Sequence, residues 1–364
     1  MGQAHGARGQ RQWLANIGKT ENGVVGVTSL LADERIYYPV DLEPYTPAHH
    51  FEGGKNDPHF RTKLKIASEL VELAIGRSIP FRAVVADSFY GEDWGLKGAL
   101  EELGAGYVLA LKPSHAWWHK AGEIGSPWAA AVVAGQGWED ERHPGEWVKV
   151  MRRLGDGHEE VWWALEVNVG PYGPRRDRRS VVASTDPNEL PDKATWYLTT
   201  NLPHPDSERS SSREGGALAP ADLSEVVRLY GLRMWVEQSY KQVRHMLGWS
   251  DYQVRSDIAI RRHWELVCSA HFRCAGGHMV ARRPTARSRP KERRAIYPPS
   301  QKERVQSRPQ VCWPQALRAV RAWLEPWVML MRYWKAFSDL PPPTQLKALL
   351  ERVFSGRGLY LYVH

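Results

Sequence analysis

Hydrophobic and polar positions change rhythm several times along the chain. Residues 21–30 (ENGVVGVTSL) and 34–40 (ERIYYPV) read as two short strands joined by Leu31-Ala32-Asp33, a hairpin-like pair. Leu64, Ala67, Leu70, Val71 and Leu73 to Ile75 then recur at helical spacing over residues 61–75, and Ile79-Pro80 resets the chain. Residues 81–86 form a mostly apolar run of strand length that ends in Asp87, followed by a helix over 93–103 and a strand over 107–111. Strand, helix and strand with short joins predict a parallel crossover unit in a three-layer α/β core.

Beyond this core the pattern breaks into separate strand-like pieces at 147–154, 160–169, 179–184 and 195–200, divided by Gly, Pro and Asp turns. A polar loop over 205–220 leads into one long helix over 221–247. A second helix follows over 258–279, and further helices are expected near 314–337 and 344–354. The expected organisation is a discontinuous core (1–114 and 205–280), a β-rich insertion (115–204), a basic linker (281–310) and a helical C-terminal region (311–364).

Composition narrows the class. A chain of 364 residues, 42% hydrophobic and 25% charged, is long enough for two or three domains and close to the globular average. The best apolar run, residues 128–134, falls far short of the roughly 18 residues of a membrane span. No apolar stretch follows the opening Met1-Gly2-Gln3-Ala4-His5-Gly6, so the cytoplasm is the expected address. Three cysteines, Cys268, Cys274 and Cys312, are too few for a disulfide framework.

The net charge of +8 has one location. Residues 276–310 hold ten cations (Arg282, Arg283, Arg287, Arg289, Lys291, Arg293, Arg294, Lys302, Arg304 and Arg308) against Glu292 and Glu303 alone, which accounts for the whole excess. Such an arm suits a phosphate backbone or, alternatively, serves as a solvated linker. Seven tryptophans between Trp117 and Trp163 could stack on unpaired bases, although such residues more often fill a sheet core.

The strongest chemical signal lies on the long helix, in YGLRMWVEQSYKQVR. At about 100 degrees per residue, Tyr230, Arg233, Glu237 and Arg244 project within about 60 degrees of one another, with Lys241 about 20 degrees to the other side. A polar stripe of this kind suits a phosphate ester and its metal, or a solvated face held by spaced ion pairs such as Arg233 with Glu237. Asp87 sits where an apolar strand runs out, a usual place for functional groups in α/β sheets, and could equally cap the next helix together with Ser88. Hard oxygen ligands on a strand end and a facing helix are what Mg²⁺ takes, and two such ions roughly 4 Å apart can activate water and steady the leaving oxygen of a phosphodiester.

These residues resemble a family. The pattern Tyr-x2-Arg-x3-Glu-x6-cation is similar to the signature around the last acid of DDE transposases from cut-and-paste bacterial insertion sequences, with Arg244 in place of the usual Lys. Val84-Val85-Ala86-Asp87-Ser88-Phe89-Tyr90-Gly91 resembles the block around the second acid. Gly18-Lys19-Thr20-Glu21-Asn22 and Arg262-His263-Trp264-Glu265-Leu266 match further blocks, all in family order. The resemblance covers roughly residues 7–271. It implies a ribonuclease-H-like core, Asp87 and Glu237 as ligands of Mg²⁺ or Mn²⁺ (two ions in an intact site), and Tyr230, Arg233, Lys241 and Arg244 on the DNA. The implied chemistry is hydrolysis at the element's ends, then attack of the freed 3′-hydroxyl on target DNA.

One departure stands out. The family's first acid lies on a central strand upstream of the block matching residues 7–22, and Asp33 and Asp41 both belong to the following hairpin instead. The expectation is therefore a protein inactive on its own, with unpaired sheet edges and poor solubility. The alternative is a noncatalytic DNA-binding or subunit-pairing remnant that inhibits an intact transposase; a generic nuclease of the same fold is a third reading. Expected partners are double-stranded DNA, as element ends and target, with a homodimer as one assembly open to the chain, and neither a membrane nor a nucleotide cofactor. Gly18-Lys19-Thr20 lacks the first Gly of a phosphate-binding loop, since position 13 is Trp13. Cys268, His271, Cys274 and His278 lie along one helix without the paired turns of structural zinc sites. His115 and His119 have no nucleophile pattern to serve.

Overall fold

The computed structural model describes residues 10–14, 19–34, 37–115, 117–118, 124–153, 158–167, 178–206, 218–249 and 257–282. The chain divides into two compact units, Met1–Phe272 and Arg273–His364. Of the second, only the end of a helix lies among the described residues, so the basic arm beyond residue 282 and the helices expected after it fall outside them.

The first unit opens with two hairpins. β1 (Gln10–Leu14) pairs antiparallel with β2 (Lys19–Gly23), and β3 (Val25–Ala32) pairs antiparallel with β4 (Tyr37–Tyr45), with a register shift between Ser29 and Leu30. The run expected over 21–30 is thus two strands parted at Val24. Helix α1 (Lys63–Gly76) starts where the Thr62 hydroxyl accepts from Lys65 N–H, and it buries Ile66 and Leu70 against Val27 of the hairpin.

β5 (Val84–Ala86), α2 (Ser88–Gly91), α3 (Trp94–Glu102) and β6 (Tyr107–Ala110) make the expected crossover, with β5 parallel to β6. After β7 (Trp117–Trp118), β8 (Ile124–Gly125) and α4 (Pro127–Gly135) come β9 (Val148–Arg153), β10 (Glu159–Val167), β11 (Arg179–Ser184) and β12 (Thr195–Thr200). These last four strands do not form a sheet of their own. They extend the core into one six-stranded mixed sheet, ordered β5-β6-β12-β11-β10-β9, because β12 pairs antiparallel with β6. Asn201 strengthens that junction: its side chain accepts from Tyr107 N–H and donates to the Ala105 carbonyl.

Both faces of the sheet are covered. On one, α5 (Leu223–Gly231) lays Val226, Val227 and Leu229 on Val108, Val150, Trp162 and Leu198. On the other, α4 packs on Trp147, Trp163 and Val182, while α1 and α3 flank Tyr107 and Leu109. Three of the described tryptophans serve the core, Trp147, Trp162 and Trp163 being almost fully buried, whereas Trp128 remains half exposed. Helix α4 went unread in the sequence although Ser126 caps it and Pro127 occupies its first turn.

The long helix expected over 221–247 is two helices. α5 ends at Gly231, α6 (Met234–Met246) begins three residues later, and Leu232 and Arg233 form a tight turn between them. α7 (Asp257–Arg282) follows, burying Ile260 and Trp264 against Leu42 and Trp249. Among the described residues no helix is long and apolar enough to cross a membrane.

Candidate active site

Asp87 leaves the end of β5 and caps α2, its Oδ1 accepting from Phe89 N–H at 3.0 Å. The cap that the sequence offered as an alternative to a functional role is thus present, and it uses one oxygen only. The other oxygen, Oδ2, lies 3.7 Å from Nη2 of Arg233. α2 can turn so tightly over β6 because its last residue is Gly91: a Cβ there would lie 1.8 Å from the carbonyl oxygen of Ala110.

Glu237 stands in the first turn of α6 and accepts from Nη1 of Arg233 at 3.1 Å. One guanidinium therefore serves two carboxylates from distant parts of the chain. Both acids are accessible, Asp87 at 45% and Glu237 at 62% side-chain exposure, so the pair opens to solvent rather than being locked in the core.

The break between α5 and α6 sets this geometry. Trp235 N–H bonds to the Leu232 carbonyl and Val236 N–H to that of Arg233, both three residues back, in the manner of a 3₁₀ turn. The Gly231 carbonyl, which a regular α-helix would offer to Trp235, instead accepts from Nη2 of Arg152 at 3.0 Å. Arg152 comes from β9, is almost buried, pairs with Glu160 and lies 5.3 Å from the Trp196 ring. Burial lowers its pKa, with Glu160 opposing. A Cβ on Gly231 would sit 2.6 Å from Arg152 Nε, so glycine makes room for the contact.

Projecting the sequence onto one continuous helix is corrected accordingly: Tyr230 belongs to α5, and Glu237, Lys241 and Arg244 belong to α6. Tyr230 packs edge-on against Trp196 at 5.0 Å. Burial raises its pKa; it is also close enough to feel Arg233, which lowers it, and Asp87 and Glu237, which raise it. Lys241 and Arg244 are exposed on α6. The Tyr240 hydroxyl, one turn beyond Glu237, makes a short hydrogen bond with Thr28 of β3 and so ties α6 to the β3–β4 hairpin. Phe89, two residues after Asp87, is 55% exposed, with Lys63 Nζ 5.9 Å from its ring centre.

Arg152 escaped the sequence reading, although a signal existed. Val150 and Arg152 share one strand parity and Val150 is core, so the arginine stood beside a buried position on its face, although Val148 on that face is exposed. Among the described residues no third His, Cys, Asp or Glu joins Asp87 and Glu237 in a group able to hold a metal ion.

Residues 4–163 match the family described as DDE superfamily endonuclease. Over 246 residues the chain is 30% identical to a protein of Microchaete diplosiphon described as "Probable transposase for insertion sequence element IS701". The match takes in 67% of this chain and 54% of that relative, so the chain spans about half the length of the curated relative it matches.

Proposed function

We propose that the chain, whose residues 4–163 match the family described as DDE superfamily endonuclease, is the DNA-cleaving portion of an insertion-sequence transposase, with a ribonuclease-H-like core and Asp87 and Glu237 as ligands of a divalent metal. The observation that carries this reading is the meeting of Asp87 and Glu237 at the single guanidinium of Arg233. Carboxylates are the hard oxygen donors that Mg²⁺ and Mn²⁺ take, and Arg233 already supplies a cation where their charge converges. Metal bound there would supply activation of a water and stabilisation of the oxygen leaving the phosphodiester.

The remaining roles belong to the chain itself. The Phe89 N–H holds Asp87 with one oxygen turned toward Arg233. Arg233 exchanges its carboxylates for phosphate oxygens as DNA arrives, a task suited to a planar, two-pronged donor. Lys241 and Arg244 contact the backbone of the element's end, and Tyr230, braced by Trp196, lies beside the reacting phosphate. Hydrolysis frees a 3′-hydroxyl, which then attacks a target phosphodiester. Double-stranded DNA is the partner, with a homodimer as the working assembly, no nucleotide cofactor, and the cytoplasm as the place of action.

A second reading is favoured by one observation, the absence of a third acid beside Asp87 and Glu237 among the described residues. On that reading the chain by itself occupies DNA ends, or pairs with an intact transposase, and cleaves poorly.

The test is incubation of the purified chain with labelled duplexes carrying the element's ends, in Mg²⁺ or Mn²⁺. Salt-dependent binding weakened by Lys241→Ala and Arg244→Ala is expected, with any cleavage abolished by Asp87→Asn. Cleavage that survives Asp87→Asn would overturn the assignment.

A further inference from the structure

Two aromatic rings stand in solvent just beyond Asp87. Phe89 is 55% exposed and Trp94 57%, and among the described residues only Trp128 joins them as an aromatic side chain more than half open. Each ring has a cation beside it. Lys63 Nζ is 5.9 Å from the centre of Phe89, and Lys97 Nζ and the Arg178 guanidinium carbon are 4.2 and 4.8 Å from that of Trp94.

The indole of Trp94 is fixed from within. Lys97 is 2% exposed and donates to the Gly91 carbonyl, while Arg178, its side chain 11% exposed, forks onto Glu101 at 2.6 and 3.0 Å. Because both cations are buried, the open part of the ring is the side turned away from them. His115 flanks it at 6.4 Å, its own ring tilted by 33°. Glu92 steadies that flank: one carboxylate oxygen accepts from Lys112 N–H at 2.8 Å and the other meets His115 Nδ1 at 3.1 Å. A ring held by charged neighbours yet contributing little to the core is preorganised for a flat partner, since the cost of ordering it is met before that partner arrives. A nucleobase is such a partner, stacking on aromatic side chains whatever its sequence while cations alongside take the phosphates. Lys63, and Lys112 exposed at its loop, supply those cations. In a duplex the base faces are covered by their neighbours, so the ligand that fits open rings is an unpaired strand.

We propose that Phe89 and Trp94 form a stacking path for single-stranded DNA beside the Asp87 site, with Lys63 and Lys112 on its phosphates. The inference rests on the proposed function for the identity of its ligand, and it adds to that reading a surface that takes unpaired rather than duplex DNA.

The experiment uses the full chain in EDTA and a fluorescein-labelled oligothymidine read by anisotropy, with a second strand carrying 2-aminopurine, whose fluorescence falls when it stacks. Saturable binding with quenching is expected. Trp94→Ala should weaken the strand's affinity about tenfold and reduce the quenching, whereas Trp94→Phe should largely keep both. Binding of a fully paired duplex should be unchanged by Trp94→Ala. Phe89→Ala should also weaken the strand several-fold, which keeps the test decisive if Trp94→Ala fails to fold. No saturable binding of the strand overturns the proposal, as does affinity and quenching indifferent to both alanine variants. Equal loss of strand and duplex binding would mark a duplex surface and overturn it too. Duplex binding that ignores Lys241→Ala and Arg244→Ala, while strand binding still follows Trp94, would fail the duplex contacts of the proposed function and leave this path standing.

Discussion

Arg152 donates to the Gly231 carbonyl at 3.0 Å, taking from the helix ladder the acceptor that Trp235 would otherwise use. A strand residue far along the chain thereby sets the turn between α5 and α6 and, through it, the direction of Glu237. Without that contact Trp235 can bond to Gly231 and the turn can relax toward α-helical winding. Each residue then turns about 20 degrees less than in a 3₁₀ segment. Arg152→Met should therefore reduce Mn²⁺ binding several-fold while costing about 1–3 kcal/mol of stability, since Glu160 keeps only the Trp162 indole N–H and loses its cation, and the Gly231 carbonyl loses its donor. Mn²⁺ titration followed by electron paramagnetic resonance, alongside urea unfolding, measures both; unchanged Mn²⁺ binding in a folded variant would sever the link from Arg152 to the site.

Asp87 has two separable roles. Asp87→Ala removes cap and charge together, and the cap alone is worth about 1 kcal/mol. Asp87→Asn keeps an oxygen that can accept from Phe89 N–H but lacks the carboxylate. The Asn variant should unfold at nearly the wild-type urea concentration and yet lose Mn²⁺ binding, whereas the Ala variant should lose both. Equal destabilisation by the two would make the cap irrelevant.

Gly91→Ala tests the close approach of α2 to β6. A Cβ placed 1.8 Å from the Ala110 carbonyl oxygen cannot be accommodated by rotating a side chain, so backbone must move. A loss of about 3 kcal/mol or more is expected in urea unfolding, at the upper end of overpacking costs. A loss below about 1 kcal/mol would mean that α2 shifts freely and does not hold Asp87 in place.

The fold was legible where a signal is local. The strands over 179–184 and 195–200 match their expected bounds, the helix expected over 61–75 is Lys63–Gly76, and Asp87 stands at the end of its apolar strand. Features made by distant partners were not legible. Periodicity treats a helix as continuous, and nothing within residues 221–247 reveals that a guanidinium from residue 152 takes the carbonyl of Gly231. Alternation marks β12 as a strand but does not say that it pairs with β6, so the β-rich segment read as separate when it continues the core sheet. The meeting of Asp87 and Glu237 followed from neither residue alone.

Lys97 is almost wholly buried, 4.2 Å from the Trp94 ring, and donates to the Gly91 carbonyl at 2.9 Å. Burial lowers its pKa from 10.5 to about 8, with Arg178 adding to the effect. Between about pH 8 and 10.5 the unfolded chain holds a proton that the folded chain has released, so this group makes stability rise with pH across that window, by up to ~3 kcal/mol. Below about pH 8 both states are protonated and the cost of burying the charge is present in full. Urea unfolding of wild type and Lys97→Met at about pH 7, 8.5 and 9.5, below and then within that window, should show the wild type gaining stability relative to the variant. Parallel curves would contradict the assignment.

The central claim is that Asp87 and Glu237 form one divalent-cation site. An anomalous difference map from crystals of the full chain soaked in Mn²⁺ addresses it directly. The account predicts a peak within roughly 2.0–2.3 Å of a carboxylate oxygen from each residue, with Arg233 displaced from between them. A map in which the carboxylates lie more than about 10 Å apart, beyond the span of ions spaced roughly 4 Å, or in which Mn²⁺ binds elsewhere and leaves Arg233 bridging both acids, would contradict it.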